Sequence, residues 1–112
     1  MINYNDRIFR AVSNTENGET SDQTVFKYKQ NGHLLSAEYF GGKIKYGHLI
    51  GLVDENGNID MRYHQVNDAG TLMTGICNSK PEYLPNGKIR LHETWQWTSG
   101  DCSNGESIIE EQ

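Results

Sequence analysis

Apolar and polar residues change places at every second position through most of the chain, and glycine pairs and Asn-Gly steps interrupt the alternation at intervals. Residues two apart share a face of a strand, so a period of two marks a half-buried β-strand. The interruptions fall at Asn17-Gly18, Asn31-Gly32, Gly41-Gly42, Asn56-Gly57, Ala69-Gly70, Asn86-Gly87 and Asn104-Gly105. Asn-Gly between alternating segments signals a hairpin, because both residues tolerate the positive φ of a type I′ turn. Strands are therefore predicted near residues 7–12, 23–30, 33–40, 43–53, 58–66, 71–79, 88–98 and 106–111, with a short additional strand at 82–84. No segment sustains the apolar period of a helix, and at most one helical turn is expected around residues 13–22.

Sequential strands joined by tight turns make an up-and-down antiparallel meander. Left open, such a sheet has two bare edges and an uncovered apolar face. Closure removes both, and about eight strands enclose an interior that side chains fill or that holds one small ligand. The predicted class is all-β: a single domain over residues 1–112, formed by a meander of about 8–10 strands closing into a small barrel or half-barrel. A two-sheet sandwich is the alternative. Gly47 and Gly51, on one face of the long strand 43–53, mark a bend or a close backbone approach.

Face assignment then locates the candidate chemistry. Strand 88–98 carries Ile89, Leu91, Glu93, Trp95 and Trp97 on one face, and Arg90, His92, Thr94 and Gln96 on the other. The first face is the buried one, since exposing two indoles and two aliphatics forfeits roughly 25 cal/mol per Å² of apolar surface. Glu93 is then an inward carboxylate. By the same test Ile44, Tyr46, His48, Ile50 and Leu52 turn inward on strand 43–53. Ile59, Met61, Tyr63 and Gln65 do so on strand 58–66, and Phe26 and Tyr28 on strand 23–30. Strand 33–40 admits either face. The expected interior is aromatic with a few polar groups, and Tyr46, His48, Tyr63, Glu93, Trp95 and Trp97 are the candidate ligand-binding residues. An inward carboxylate needs hydrogen bonds, an ion pair or a proton. His48 and the tyrosine hydroxyls are the expected partners. Glu93 either pins the register of the barrel through them or faces a cavity and recognises a polar group there.

Composition and charge act mainly by exclusion. The 112 residues carry a net charge of −5, and the basic residues are scattered, so the stripe of a nucleic-acid binder is missing. No apolar run approaches a membrane-spanning helix. The opening stretch MINYNDRIFRAV lacks the apolar core of a signal peptide, so a cytoplasmic location is expected. The expected partners are a small molecule and, for a homodimer, a second copy of the chain, with neither nucleic acid nor membrane. Cys77 alternates with apolar residues and reads as a buried thiol, whereas Cys102 lies in a Ser/Gly/Asn loop. His33, His48, His64 and His92 fall on four strands. Parity turns His64 and His92 outward and His48 inward, which breaks up a zinc set, so no metal site is expected. His48 alone is a candidate haem ligand. Phosphate-loop, dinucleotide and nucleophile-elbow motifs are absent, and Asp54–Asn58 is too short for a calcium loop. No motif indicates a cofactor.

The run GHLIGLVDENGNIDMRYHQVN (Gly47–Asn67), followed by LMTGICNS and NGKIRLHETWQWTSGD…GESIIEE, resembles a group of short bacterial proteins that carry the name N-acetylglutamate synthase. The resemblance covers nearly the whole chain and implies an acetyl-CoA-dependent acetyltransferase. Acetyltransferases of the usual fold grip the pyrophosphate with a [QR]-x-x-G-x-[GA] loop at a helix N-terminus. That loop is missing here, and the resemblance supplies no catalytic residues. The leading expectation is a small ligand-binding barrel with an aromatic lumen. The alternatives are an enzyme using the same cup with Glu93 and His48 as acid and base, the synthase, and a packed barrel acting through its surface.

Overall fold

A computed structural model describes residues 1–112. It contains eight strands and no helix: β1 (Ile8–Asn14), β2 (Val25–Asn31), β3 (Leu34–Gly41), β4 (Ile44–Val53), β5 (Ile59–Asn67), β6 (Leu72–Tyr83), β7 (Ile89–Trp97) and β8 (Asn104–Glu111). Each strand pairs antiparallel with the next, and β1 closes on β8, so the meander is a closed barrel. The eight principal strands lie where the alternation predicts them. Residues 82–84 are not a separate strand, because β6 runs on to Tyr83 alongside β7. β5 leaves β6 at Ser79, so Pro81 sits where β6 has a partner on one side only and its missing N–H breaks no shared ladder. Residues 13–22 form no helical turn.

The turns differ from the type I′ expectation. At Asp54–Gly57, Asn67–Gly70 and Leu84–Gly87 the glycine N–H bonds back to the carbonyl three residues earlier, and only the glycine takes a positive φ. Each turn is thus one residue longer than a two-residue hairpin, and one left-handed residue closes it.

Two bulges reset the alternation, and they correct part of the face assignment. The β4 register shifts between Ile44 and Tyr46 against both neighbours. Lys45 and Tyr46 therefore both point out, and the inward set becomes Ile44, Gly47, Leu49, Gly51 and Val53. Tyr46, Ile50 and Leu52, expected inside, are exposed, and His48 lies on the outer face against His64 with ring centres 5.5 Å apart. One inserted residue flips every later side chain, and strict period-two counting carries no sign of it. A second bulge, between Ala11 and Ser13 in β1, turns Val12 and Ser13 outward and returns Asn14 to the interior side. On the ambiguous β3, Leu35, Ala37 and Tyr39 are the buried face.

Three inward aromatic residues lie flat on a glycine directly opposite in the next strand. Tyr39 faces Gly47, Tyr63 faces Gly75 and Trp95 faces Gly105. A Cβ on any of these glycines would fall within 2.2–2.4 Å of the ring. The glycines are therefore the space in which the rings sit. The end of the barrel carrying the β2–β3, β4–β5 and β6–β7 turns is closed by the segment before β1. There Tyr4 is wholly buried against Phe9 and Tyr28, its hydroxyl donates to the Gly57 carbonyl at 2.5 Å, and its N–H donates to Gln30 Oε1 at 2.8 Å.

Candidate functional site

The opposite end carries the β1–β2, β3–β4, β5–β6 and β7–β8 connections, and a cavity of about 50 Å³ lies beneath them. Its walls are the inward rings of Phe26, Tyr39, Tyr63, Trp95 and Trp97, with Leu49 and Met61 between them. Trp97 meets Tyr63 and Trp95 edge-on, with ring centres 5.8 and 5.4 Å apart. Polar groups enter this apolar shell at two levels.

The deeper level is Glu93. It stands on β7 between Leu91 and Trp95, and both flanking strands offer it a serine. Ser107 on β8 donates to Oε1 at 2.9 Å, and Ser79 on β6 donates to Oε2 at 3.3 Å. The register makes this local, since Ser79, Glu93 and Ser107 are direct cross-strand partners. Burial is the dominant influence on this carboxyl. Two serine hydroxyls favour the anion without restoring its lost hydration, and the carboxyl is pushed up to about 7. Neither expected partner type serves it: His48 is outside the barrel, and no tyrosine hydroxyl bonds to it. An acid–base pair of Glu93 with His48 is not assembled, and a lumenal haem ligand at His48 is ruled out by the same geometry. Burial also pushes the Cys77 thiol well above its ordinary value, with the nearby Glu93 adding to the shift, so Cys77 is an inert wall residue.

The upper level is a polar ring at the mouth. The Tyr39 hydroxyl donates to Gln65 Oε1 at 2.7 Å. Gln65 Nε2 and Asn67 Nδ2 donate to the two carboxylate oxygens of Glu19, at 2.8 and 2.9 Å. Glu19 belongs to the β1–β2 loop, residues 15–24, which crosses the mouth. The same loop is held by the Trp97 indole N–H donating to the Asn17 carbonyl at 3.0 Å, and by Asn14 Nδ2 donating to Thr20 Oγ1 at 2.9 Å. Two polar groups of the interior find no partner: Asn14 Oδ1, whose residue lines the cavity, and the wholly buried Tyr28 hydroxyl. An unpaired buried polar atom costs about 1–3 kcal/mol.

Of the six candidate ligand-binding residues, Tyr63, Glu93, Trp95 and Trp97 come together on the cavity, while Tyr46 and His48 lie on the outer surface. Sequence reasoning missed Asn14 and Glu19 altogether and left Ser79 and Ser107 unassigned. Gln65 reads as inward from the sequence, but its place in the mouth depends on partners far away in the chain. Ser107 alternates with Ile109 on β8 and so carried a readable signal. Glu19, in an irregular loop, carried none.

Fold and site together define a class: a closed eight-stranded antiparallel barrel, floored at one end, with an aromatic cup opening at the other. The model of the avidin-like protein family matches residues 2–112, and the chain belongs to that family. No curated protein and no solved structure matches it.

Proposed function

We propose that the chain is a binding protein whose cup takes one small, partly apolar molecule. Four features of the lumen support this reading: aromatic walls, a half-buried carboxyl with its proton near balance at neutral pH, an unpaired acceptor at Asn14, and a mouth covered by the β1–β2 loop. The cavity beneath the loop carries the reading. A fully packed barrel would bury apolar side chains against one another there, with no need for Glu93, Gln65 and Asn14. Membership of the avidin-like family agrees with it, since that barrel is a small-ligand-binding fold of the biotin-binding type. Tyr63, Glu93, Trp95 and Trp97 are the ligand-contacting residues proposed, with Tyr39 and Gln65 above them. Pockets for drug-sized ligands measure roughly 300–1,000 Å³. A ligand of that size enters only when the β1–β2 loop moves aside, because the cavity beneath the loop is about 50 Å³.

Trp95 and Trp97 are the only tryptophans, and both line the cup, so intrinsic fluorescence reports its occupancy directly. The test pairs that signal, titrated with biotin and a panel of small amphipathic molecules, with native mass spectrometry of protein purified from its own host. A retained molecule, or a saturable fluorescence change lost in Trp97→Ala, is the expected result. No retained mass and no response to any probe would sink the reading. Homodimerisation is part of the same proposal, supported by the exposed Leu34, Ile50 and Leu52 on the outside of β3 and β4, and sedimentation of the purified chain decides it.

A further inference from the structure

The seat of the Glu19 carboxylate is built without Glu19. The Gln65 amide is oriented from below: its Oε1 takes the Tyr39 hydroxyl, and only the NH₂ side is left to face the mouth. The Asn67 amide is oriented by the β5–β6 turn. Its Oδ1 accepts the N–H groups of Ala69 and Thr71, at 3.1 and 2.9 Å, which again leaves the NH₂ side free. The two residues are two apart on one strand, so both donors lie on the same face of β5, one above the other. Two fixed amide donors, one of them on a residue 3% exposed, converge on one position at the rim of an aromatic cup. Glu19 takes part in none of the ion pairs of the molecule, so neutral donors alone hold its charge.

We propose that Glu19 is an internal stand-in for the carboxylate of a ligand. The β1–β2 loop closes the cup by placing its own carboxylate between Gln65 and Asn67, and a small carboxylic acid with an apolar body displaces it. The acid's carboxylate then takes the two amide donors, and its body lies against Trp97, Tyr39 and Tyr63. The exchange is physically balanced. Opening the loop alone leaves two oriented donors without the carboxylate, whereas opening with an incoming carboxylate restores both charge-assisted hydrogen bonds. Loop and ligand are therefore competitors for one site, and the apparent affinity of the ligand is its intrinsic affinity scaled by the fraction of time the loop is open. This inference rests on the binding-cup reading above and adds to it a competitor carried by the chain itself.

The test uses hexanoate and its uncharged amide, hexanamide, titrated against tryptophan fluorescence at pH 6, where Glu93 holds its proton. The informative quantities are the hexanoate affinity and its ratio to that of hexanamide. Glu19→Ala should raise the hexanoate affinity roughly tenfold or more, because it removes the competitor and leaves the donors. Glu19→Gln serves as a second variant should the alanine disturb the loop, and a smaller rise is expected. Glu16→Gln makes the same change of charge in the same loop, outside the seat, and should leave the hexanoate affinity within about twofold, as screening of an exposed charge predicts. Asn67→Ala in the Glu19→Ala background should remove the preference for hexanoate over hexanamide. An unchanged hexanoate affinity in Glu19→Ala, with hexanamide bound, overturns the inference and leaves the cup. An equal rise in Glu16→Gln overturns it in favour of general charge repulsion. Binding of neither probe to any variant overturns both readings.

Discussion

Glu93 is harder to ionise in the folded chain than in the unfolded one. Between its ordinary value of 4.5 and about 7, the folded chain holds a proton that the unfolded chain has released. Its contribution is therefore most favourable below the unfolded value. Stability falls as pH rises through that window, by at most roughly 3–4 kcal/mol at about 1.4 kcal/mol per unit. Asp54, Glu82 and Asp101 are held below their ordinary range by hydrogen bonds, so their opposite contributions change at lower pH. Denaturant midpoints of the parent should drop between pH 5 and pH 8. In Glu93→Gln the profile should be nearly flat, and at pH 8 the variant should be at least as stable as the parent. Parallel profiles would mean that another group sets the slope. The inward direction of Glu93 was legible in the sequence, because Trp95, Trp97 and Leu91 fix the face by sheer apolar area. Its partners were not. Ser79 and Ser107 become neighbours only through the β6–β7 and β7–β8 registers, and alternation within one strand carries no information about register between strands.

At the scale of the element, the aromatic-on-glycine pairs recur on alternate strand pairs, β3 with β4, β5 with β6 and β7 with β8. In each, the strand that carries the ring precedes the strand that carries the glycine, so the cup walls are laid down as three similar hairpins. A ring resting on bare backbone fills the space that a side chain would take, and it shields the neighbouring ladder. Gly75→Ala sets a methyl 2.2 Å from the Tyr63 ring and hydroxyl, and should cost about 1–3 kcal/mol through overpacking. Urea denaturation of Gly75→Ala, Tyr63→Leu and the double variant checks this. The glycine substitution should cost much less once the ring is gone, and strict additivity would refute the pairing. Gly47 and Gly51 are readable in the sequence as a place of close approach, and Gly47 is one, beneath Tyr39. The bulge two residues earlier was not readable, since an extra residue in a strand keeps the composition of a strand. That single insertion moved Tyr46 and His48 from the expected lumen to the surface.

For the whole molecule, closure follows from the number of strands and the shortness of the turns, both visible in the chain, whereas the placing of the ends depends on contacts without sequence periodicity. The acetyltransferase alternative also belongs to this scale. A barrel with no helix has no helix N-terminus at which to hold a pyrophosphate. The floor has a further consequence. With Tyr4 wedged across one end, anything that reaches the cup leaves by the way it came. A door that merely opens and shuts slows arrival and departure by the same factor and leaves the equilibrium where it was. An occupant that must be evicted slows arrival alone, since the molecule already seated has no rival above it. Stopped-flow traces of hexanoate binding should therefore show Glu19→Ala speeding association by roughly tenfold while the residence time stays near that of the parent.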